Sequence, residues 1–227
     1  VEGAPLRSAE GRTLELGRIG AVLPLLDPDG APRLLLPVDD GSGHAAEAVV
    51  TALPGTVRAM PAPATQGARA ALIDQRLGRP YGWGGMYGER DCSALLQDLF
   101  TPFGIALPRN SGQQAKSGPS ISFKDEAGAP LPDDARLALI RAEGRPFLTL
   151  LTMPGHIMLY LGDWQGQPAA LHAVWGVRTR GGEAVTPGRL VIGRTVVTSL
   201  RPGLEQPDRV PPENLLLRRL AGMTFVE

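Results

Sequence analysis

Tyr81-Gly82-Trp83-Gly84-Gly85-Met86-Tyr87-Gly88-Glu89-Arg90-Asp91-Cys92-Ser93 is a glycine- and aromatic-rich stretch that runs directly into Leu95, Leu96, Leu99, Phe100 and Phe103. Those apolar positions fall on one face of a helix. The reading therefore places Cys92, the single cysteine of the chain, at a helix N-terminus behind a loop. The partial positive charge of a helix start favours thiolate over thiol, and the thiolate is the nucleophile. Two of the three histidines, His156 and His172, lie downstream in strand-like segments. Either is placed to act as the activating base, so the pattern predicts a cysteine hydrolase. A lone cysteine is often a small buried hydrophobe. Here the glycine-rich loop, the flanking Asp91 and Ser93 and the helix start describe instead a strained, solvent-reachable position.

Upstream of this stretch, Thr65 is an N-cap for a helical run through Ala68, Ala71, Leu72 and Gln75, which Gly78 ends ahead of Pro80. Met60-Pro61-Ala62-Pro63-Ala64 reads as a stiff linker. Before it, Arg12–Leu16, Gly20–Leu26 and Pro32–Val38 read as short strands, separated by turns at Asp27-Pro28-Asp29-Gly30 and Asp39–Gly43. A small β-barrel is the expected closure, because it removes exposed edges. Downstream, a short helix is expected through Gln114, an exposed loop over 117–131, and a helix capped by Asp133 or Asp134 running to Glu143. Strands then follow at Phe147–Thr152, His156–Leu161, Ala170–Trp175 and Leu190–Leu200. Helices first and strands afterwards predict an α+β domain, helices packed on a mainly antiparallel sheet. The expected domains are residues 1–62 for the barrel and 63–227 for the larger unit.

Composition narrows the function classes. With 23 Lys and Arg against 23 Asp and Glu the formal net charge is zero, so no basic surface points to nucleic acid or an anionic membrane. No stretch reaches the roughly 20 apolar residues that span a bilayer. A single cysteine forms no internal disulfide, and one Cys with three His lacks the paired spacing of a zinc site. Neither a metal nor a cofactor is expected. His44, in a Gly-Ser-Gly turn, reads as an ordinary surface residue.

His156 opens the apolar segment Pro154–Gly162, and His172 sits in Leu171–Gly176. In a Cys-His pair the imidazole takes the thiol proton and returns one to the leaving amine. A further polar residue can orient that imidazole through its second ring nitrogen, and His172 fits this place. The alternatives are an exposed strand-end His156 and a core His172 satisfied by a backbone carbonyl.

Taken together, the loop YGWGG, the pentad RDCSA, the segment LPRNSGQQ and the two histidine segments PGHIMLYLG and LHAVWG resemble the NlpC-type cell-wall endopeptidases, papain-like cysteine peptidases of bacteria. The resemblance covers roughly residues 65 to 200. Residues 1 to 60 resemble, less specifically, a bacterial SH3-like barrel. The resemblance implies Cys92 as nucleophile, His156 as base and His172 as the orienting member. It implies Tyr81 as the loop tyrosine whose hydroxyl holds the catalytic centre and aids the Cys92 backbone N–H at the oxyanion. Asp91 and Ser93 match positions that grip a free N-terminal ammonium in members acting on peptides that begin with L-Ala. For Asp91 a helix N-terminal charge is the alternative, compatible with that role. Trp83 and Trp175 are candidates for the cleft wall or for core packing. Arg109 is a candidate for a substrate carboxylate or for a structural ion pair. Two features depart from the family pattern: Ala94 stands where glycine is usual, and the insertion around 117–145 is longer than a minimal version needs and is expected to rim the cleft.

The expected reaction is hydrolysis of the γ-D-glutamyl bond to diaminopimelate or lysine in peptidoglycan stem peptides, with a free N-terminal L-Ala, in the cell envelope, periplasm or medium after removal of a targeting segment. Two other readings stay open: a cysteine amidase or acyltransferase on another amide, which would not need Asp91, and a wall-binding module whose catalytic domain has decayed.

Overall fold

A computed structural model of the chain describes residues 1–27, 31–180 and 188–226. The contacts divide it into two units: Val1–Gln75 with Asp98–Gly104, and Arg76–Gln97 with Ile105–Glu227.

The first unit carries a five-stranded antiparallel sheet in the order β2-β1-β5-β4-β3. Its strands are β1 (Pro5–Arg7), β2 (Thr13–Leu16), β3 (Leu25–Asp27), β4 (Arg33–Asp39) and β5 (Ala45–Thr51). Leu6, Leu34, Leu36, Val50 and Ala52 form its core. The strand expected over Gly20–Leu26 shrinks to its last residues. Gly20 takes a left-handed φ of 82°, and a side chain there would press on Asp98 Cα, so the run cannot stay extended. β5 went unforeseen because Ala45-Ala46-Glu47-Ala48 has weak strand preference. It is made by pairing with β4, where Leu36 faces Ala48 and Val38 faces Ala46. The expected turn at Pro28–Gly30 lies outside the described residues. Helix α1 (Gln66–Asp74) begins as expected, with Thr65 Oγ1 accepting from the Ala68 N–H at 3.1 Å.

The second unit is α+β, as the sequence pattern predicts. Its six-stranded antiparallel sheet runs β10-β9-β8-β7-β11-β6, with β6 (Ser120–Ser122), β7 (Thr149–Met153), β8 (His156–Trp164), β9 (Gln167–Arg178), β10 (Arg189–Ser199) and β11 (Gly222–Phe225). The helices are α2 (Cys92–Phe100), which begins in this unit and ends in the first, and α3 (Ser111–Gln114), α4 (Asp133–Glu143) and α5 (Leu216–Arg219) of this unit. Leu137 and Ile140 of α4 and Leu216 and Leu217 of α5 pack with Leu151, Met158 and Met223 of the sheet.

Two expectations need correction here. The 117–131 stretch is not simply an exposed loop: β6 pairs with β11, and Phe123 beside it is buried to 1%. With α4 in the core as well, much of the 117–145 insertion is structural. And α4 is not capped by an aspartate side chain. Pro132 holds the cap position while Asp133 and Asp134 occupy the first turn, where their charge still suits the helix dipole.

Candidate active site

The loop ahead of Cys92 is pinned at both ends. The Tyr81 N–H donates to the Gly193 carbonyl at 2.8 Å, at the bulge in β10, and the Gly82 N–H donates to the Arg90 carbonyl at 3.1 Å. Glu89 pairs with the fully buried Arg76 at 3.7 Å and with Arg79 at 3.3 Å. Between these anchors the chain makes 3-10 turns with left-handed φ at Gly84, Gly85 and Tyr87, leaving the Tyr87 side chain 92% exposed. Gly82 is needed for contact rather than for φ. A Cβ there would sit 2.5 Å from the Met86 carbonyl oxygen and 2.8 Å from the Glu89 carbonyl carbon. Gly82→Ala should therefore cost about 1–3 kcal/mol of stability by overpacking. A thermal melt indistinguishable from that of the parent protein would contradict this.

α2 then starts at Cys92 with Asp91 as its cap. Asp91 Oδ1 accepts from the Ala94 N–H at 2.9 Å, and the Asp91 carbonyl accepts from the Leu95 N–H at 3.0 Å. Ala94 in place of glycine thus leaves the cap intact. Asp91 also accepts from Ser93 Oγ at 3.2 Å and from the Gly84 N–H at 3.2 Å. The guanidinium of Arg109 grips it bidentately, Nη2 to Oδ2 at 2.6 Å and Nη1 to Oδ1 at 3.0 Å, while Nη1 also donates to Ser93 Oγ at 3.0 Å. Of the two roles foreseen for Arg109, the ion pair is the one formed. The fully buried Gln114 ties the LPRNSGQQ segment to the helix start by donating from Nε2 to the carbonyls of Ser93, at 2.9 Å, and Pro108, at 2.8 Å.

Cys92 is only 8% exposed, less reachable than its sequence context suggested. Its thiol is also pushed up rather than down. Burial is the main cause and the Asp91 charge adds to it, outweighing the backbone N–H groups of Ile157, Ser93 and Cys92 that favour the thiolate. The helix dipole alone therefore does not make a thiolate here, and a base is required. The contact with Ile157 brings the sulfur beside the first residues of β8, where His156 stands.

Residue placement on the sheet explains the histidine pair. Leu159 faces Leu171 and Tyr160 faces Ala170, so His156 and His172 lie diagonally on one face of adjacent strands. His156 Nε2 is 2.8 Å from His172 Nδ1, and His172 Nε2 is 3.0 Å from Thr198 Oγ1. His172 is buried to 1%, yet its partners are side chains rather than a backbone carbonyl. Desolvation lowers both imidazoles, His156 to about 4 and His172 well below its ordinary value. The His156 residue is only half-buried, but its ring is shielded. Both rings are thus neutral near pH 7.

Tyr81 is pushed up to about 12, chiefly by burial and then by Cys92 and Asp91, so its hydroxyl stays protonated as a donor. Its ring lies 6.2 Å from that of Trp175. Trp83 is 74% and Trp175 49% exposed, so neither is a core residue. His44 is exposed in the other unit, hydrogen-bonded to Ser42. Among the described residues no cluster of three or more His, Cys, Asp or Glu could hold a metal, and no helix is long and apolar enough to cross a membrane.

Sequence reasoning did not find Gln114 or Thr198. Gln114 gave a faint signal as a polar residue repeated in a motif. Thr198 gave only its position in an alternating strand.

The same arrangement of elements occurs in a solved NlpC/P60 endopeptidase from Photobacterium damselae subsp. piscicida, with a TM-score of 0.76 and 28% identity over 98% of this chain and 51% of that one. Residues 78–130, which hold the loop, Cys92 and Arg109, match the model of the NlpC/P60 family. The segment that carries the nucleophile is thus similar to the NlpC/P60 family. Among curated relatives, a γ-D-glutamyl-L-lysine dipeptidyl-peptidase of Bacillus subtilis is 42% identical over 50 residues, 22% of this chain and 17% of that protein. A probable endopeptidase of Mycobacterium tuberculosis is 31% identical over 137 residues, 60% of this chain and 26% of that protein. The chain thus spans about a quarter or less of the length of these curated relatives.

Proposed function

We propose that this chain is a cysteine endopeptidase that hydrolyses the γ-D-glutamyl to diamino acid bond of peptidoglycan stem peptides, acting outside the cytoplasm. The observation that carries the reading is the neutral His156–His172 pair, hydrogen-bonded at 2.8 Å across β8 and β9, with the β8 backbone at Ile157 also donating to the sulfur of Cys92. The choice of bond is supported by the named activity of the Bacillus subtilis relative.

The chemistry follows from the protonation states. Thiol and imidazole are both neutral at rest, so the proton leaves Sγ as the sulfur attacks the scissile carbonyl. Nε2 of His156 is engaged by His172, which leaves Nδ1 to receive that proton. The backbone N–H of Cys92, one of the unpaired donors of a helix start, and the Tyr81 hydroxyl stabilise the oxyanion. Collapse of the tetrahedral intermediate passes the proton from His156 to the leaving amine and leaves a thioester on Cys92. Water, deprotonated by the same imidazole, then releases the acid product.

Asp91 and Ser93 are the candidates for a free N-terminal amine, with Trp83 at the cleft wall. Because Arg109 already neutralises the Asp91 carboxylate, the preference for a free amine over an acetylated one should be modest. Arg109→Ala should raise the ratio of free to N-acetylated tripeptide cleavage by about tenfold, the worth of one charge-assisted hydrogen bond. An unchanged ratio would remove Asp91 from amine recognition. The defining experiment is mass spectrometry of L-Ala-γ-D-Glu-meso-diaminopimelate and of its lysine counterpart incubated with the protein. Release of L-Ala-D-Glu supports the reading, and two intact peptides overturn it.

A further inference from the structure

His156, His172 and Thr198 form a diagonal row across three neighbouring strands. On the β9–β10 ladder Val196 faces His172 and Thr198 faces Ala170, so Thr198 is one diagonal step from His172. Val197 between them is 44% exposed, so Thr198 points to the sheet face opposite Val197, the face that bears His172. The two short contacts, 2.8 Å and 3.0 Å, join three side chains in which every bond needs one donor and one acceptor. A neutral imidazole carries one N–H and one lone pair. The row therefore has only two self-consistent polarities.

In the first, His156 Nε2–H donates to His172 Nδ1, and His172 Nε2–H donates to Thr198 Oγ1. His156 Nδ1 is then a bare lone pair. In the second every bond is reversed: the Thr198 hydroxyl donates to His172 Nε2, His172 Nδ1–H donates to His156 Nε2, and the His156 proton sits on Nδ1. Only the first polarity leaves a base for the thiol.

We propose that Thr198 is a positioning residue: by accepting from His172 Nε2–H it fixes the His172 tautomer and leaves Nδ1 of His156 free to take the Cys92 proton. The inference rests on the peptidase reading above. Threonine suits the place because its hydroxyl retains acceptor lone pairs even while its own hydrogen points elsewhere. Valine has the same branched shape but offers no acceptor. With valine at 198, His172 Nε2–H would be buried without a partner, which is unfavourable. The ring escapes that cost by moving its proton to Nδ1, which forces His156 into the wrong tautomer.

The test compares wild type, Thr198→Val and Thr198→Ser by three measurements: nitrogen–proton NMR of the imidazoles, the rate of Cys92 alkylation by iodoacetamide, and kcat and KM on the tripeptide. The expected wild-type spectrum has His172 and His156 both protonated at Nε2. In Thr198→Val the protons move to Nδ1. Alkylation at neutral pH slows, and kcat falls by about ten- to a hundredfold with KM unchanged, as for a base held in the wrong tautomer. Thr198→Ser restores all three. A wild-type His172 protonated at Nδ1, or a valine variant with unaltered tautomers and alkylation rate, overturns the proposal. Spectra and alkylation need no substrate. Failure of the peptidase reading would show instead as an intact tripeptide in a wild type with the expected tautomers.

Discussion

Replacing Cys92 with alanine should leave a folded protein whose tripeptide hydrolysis is reduced by about a thousandfold or more, the usual consequence of removing a covalent nucleophile. Cys92 is the single thiol of the chain, so no neighbouring sulfur can substitute. The fold should tolerate the change. Alanine keeps the Cβ at the first position of α2, and the Asp91 cap, its bonds to Ala94 and Gly84 and the Arg109 pair do not involve the sulfur. Circular dichroism should show an unchanged spectrum beside the lost release of L-Ala-D-Glu. Activity within tenfold of wild type would exclude Cys92 as nucleophile and point to a different catalytic centre.

Acid should act on catalysis and on stability in ways that an ordinary histidine would not. A general base must be neutral, and burial lowers His156 to about 4. The acid limb of the rate profile should therefore fall near pH 4 rather than near 6.5. Stability moves in the same direction. His156 titrates near 6.5 in the unfolded chain and near 4 when folded, so between those values the unfolded state binds the extra proton and stability is lost as pH falls. The full shift corresponds to about 3 kcal/mol at the bottom of the window. His172, lowered further, adds to it. A loss of melting temperature on the order of 10 °C between pH 7 and pH 4 is expected for a chain of this size. His156→Gln should be less sensitive over the same range. An acid limb at pH 6.5 or above, or a melting temperature flat down to pH 4, would show that the ring is solvated.

Much of this site was legible because it depends on local pattern. The apolar spacing of Leu95, Leu96, Leu99 and Phe100 marks α2, and the glycines before it mark a loop, so Cys92 is placed at a helix start without any tertiary information. The strands bearing His156 and His172 announce themselves as apolar runs. The less legible features all come from pairing across distance. β5 and β6 are strands because β4 and β11 offer partners, against weak local preference. The Arg109–Asp91 pair joins residues on separate elements, and its formation turns a candidate ligand for substrate into the neutralising partner of another.

By itself the sequence determined the α+β class of the larger unit, the start of α2 at Cys92 and the identity of the titratable groups, since helical and strand periodicities are properties of neighbouring residues. Only the tertiary structure decided how those groups behave. Strand register sets His156, His172 and Thr198 in a hydrogen-bonded row, and Arg109 closes on Asp91. Burial raises the thiol and lowers both imidazoles, reversing what the helix dipole alone would dictate for Cys92. The physical reason is that desolvation depends on everything packed around a group, whereas the dipole depends only on the local turn of helix.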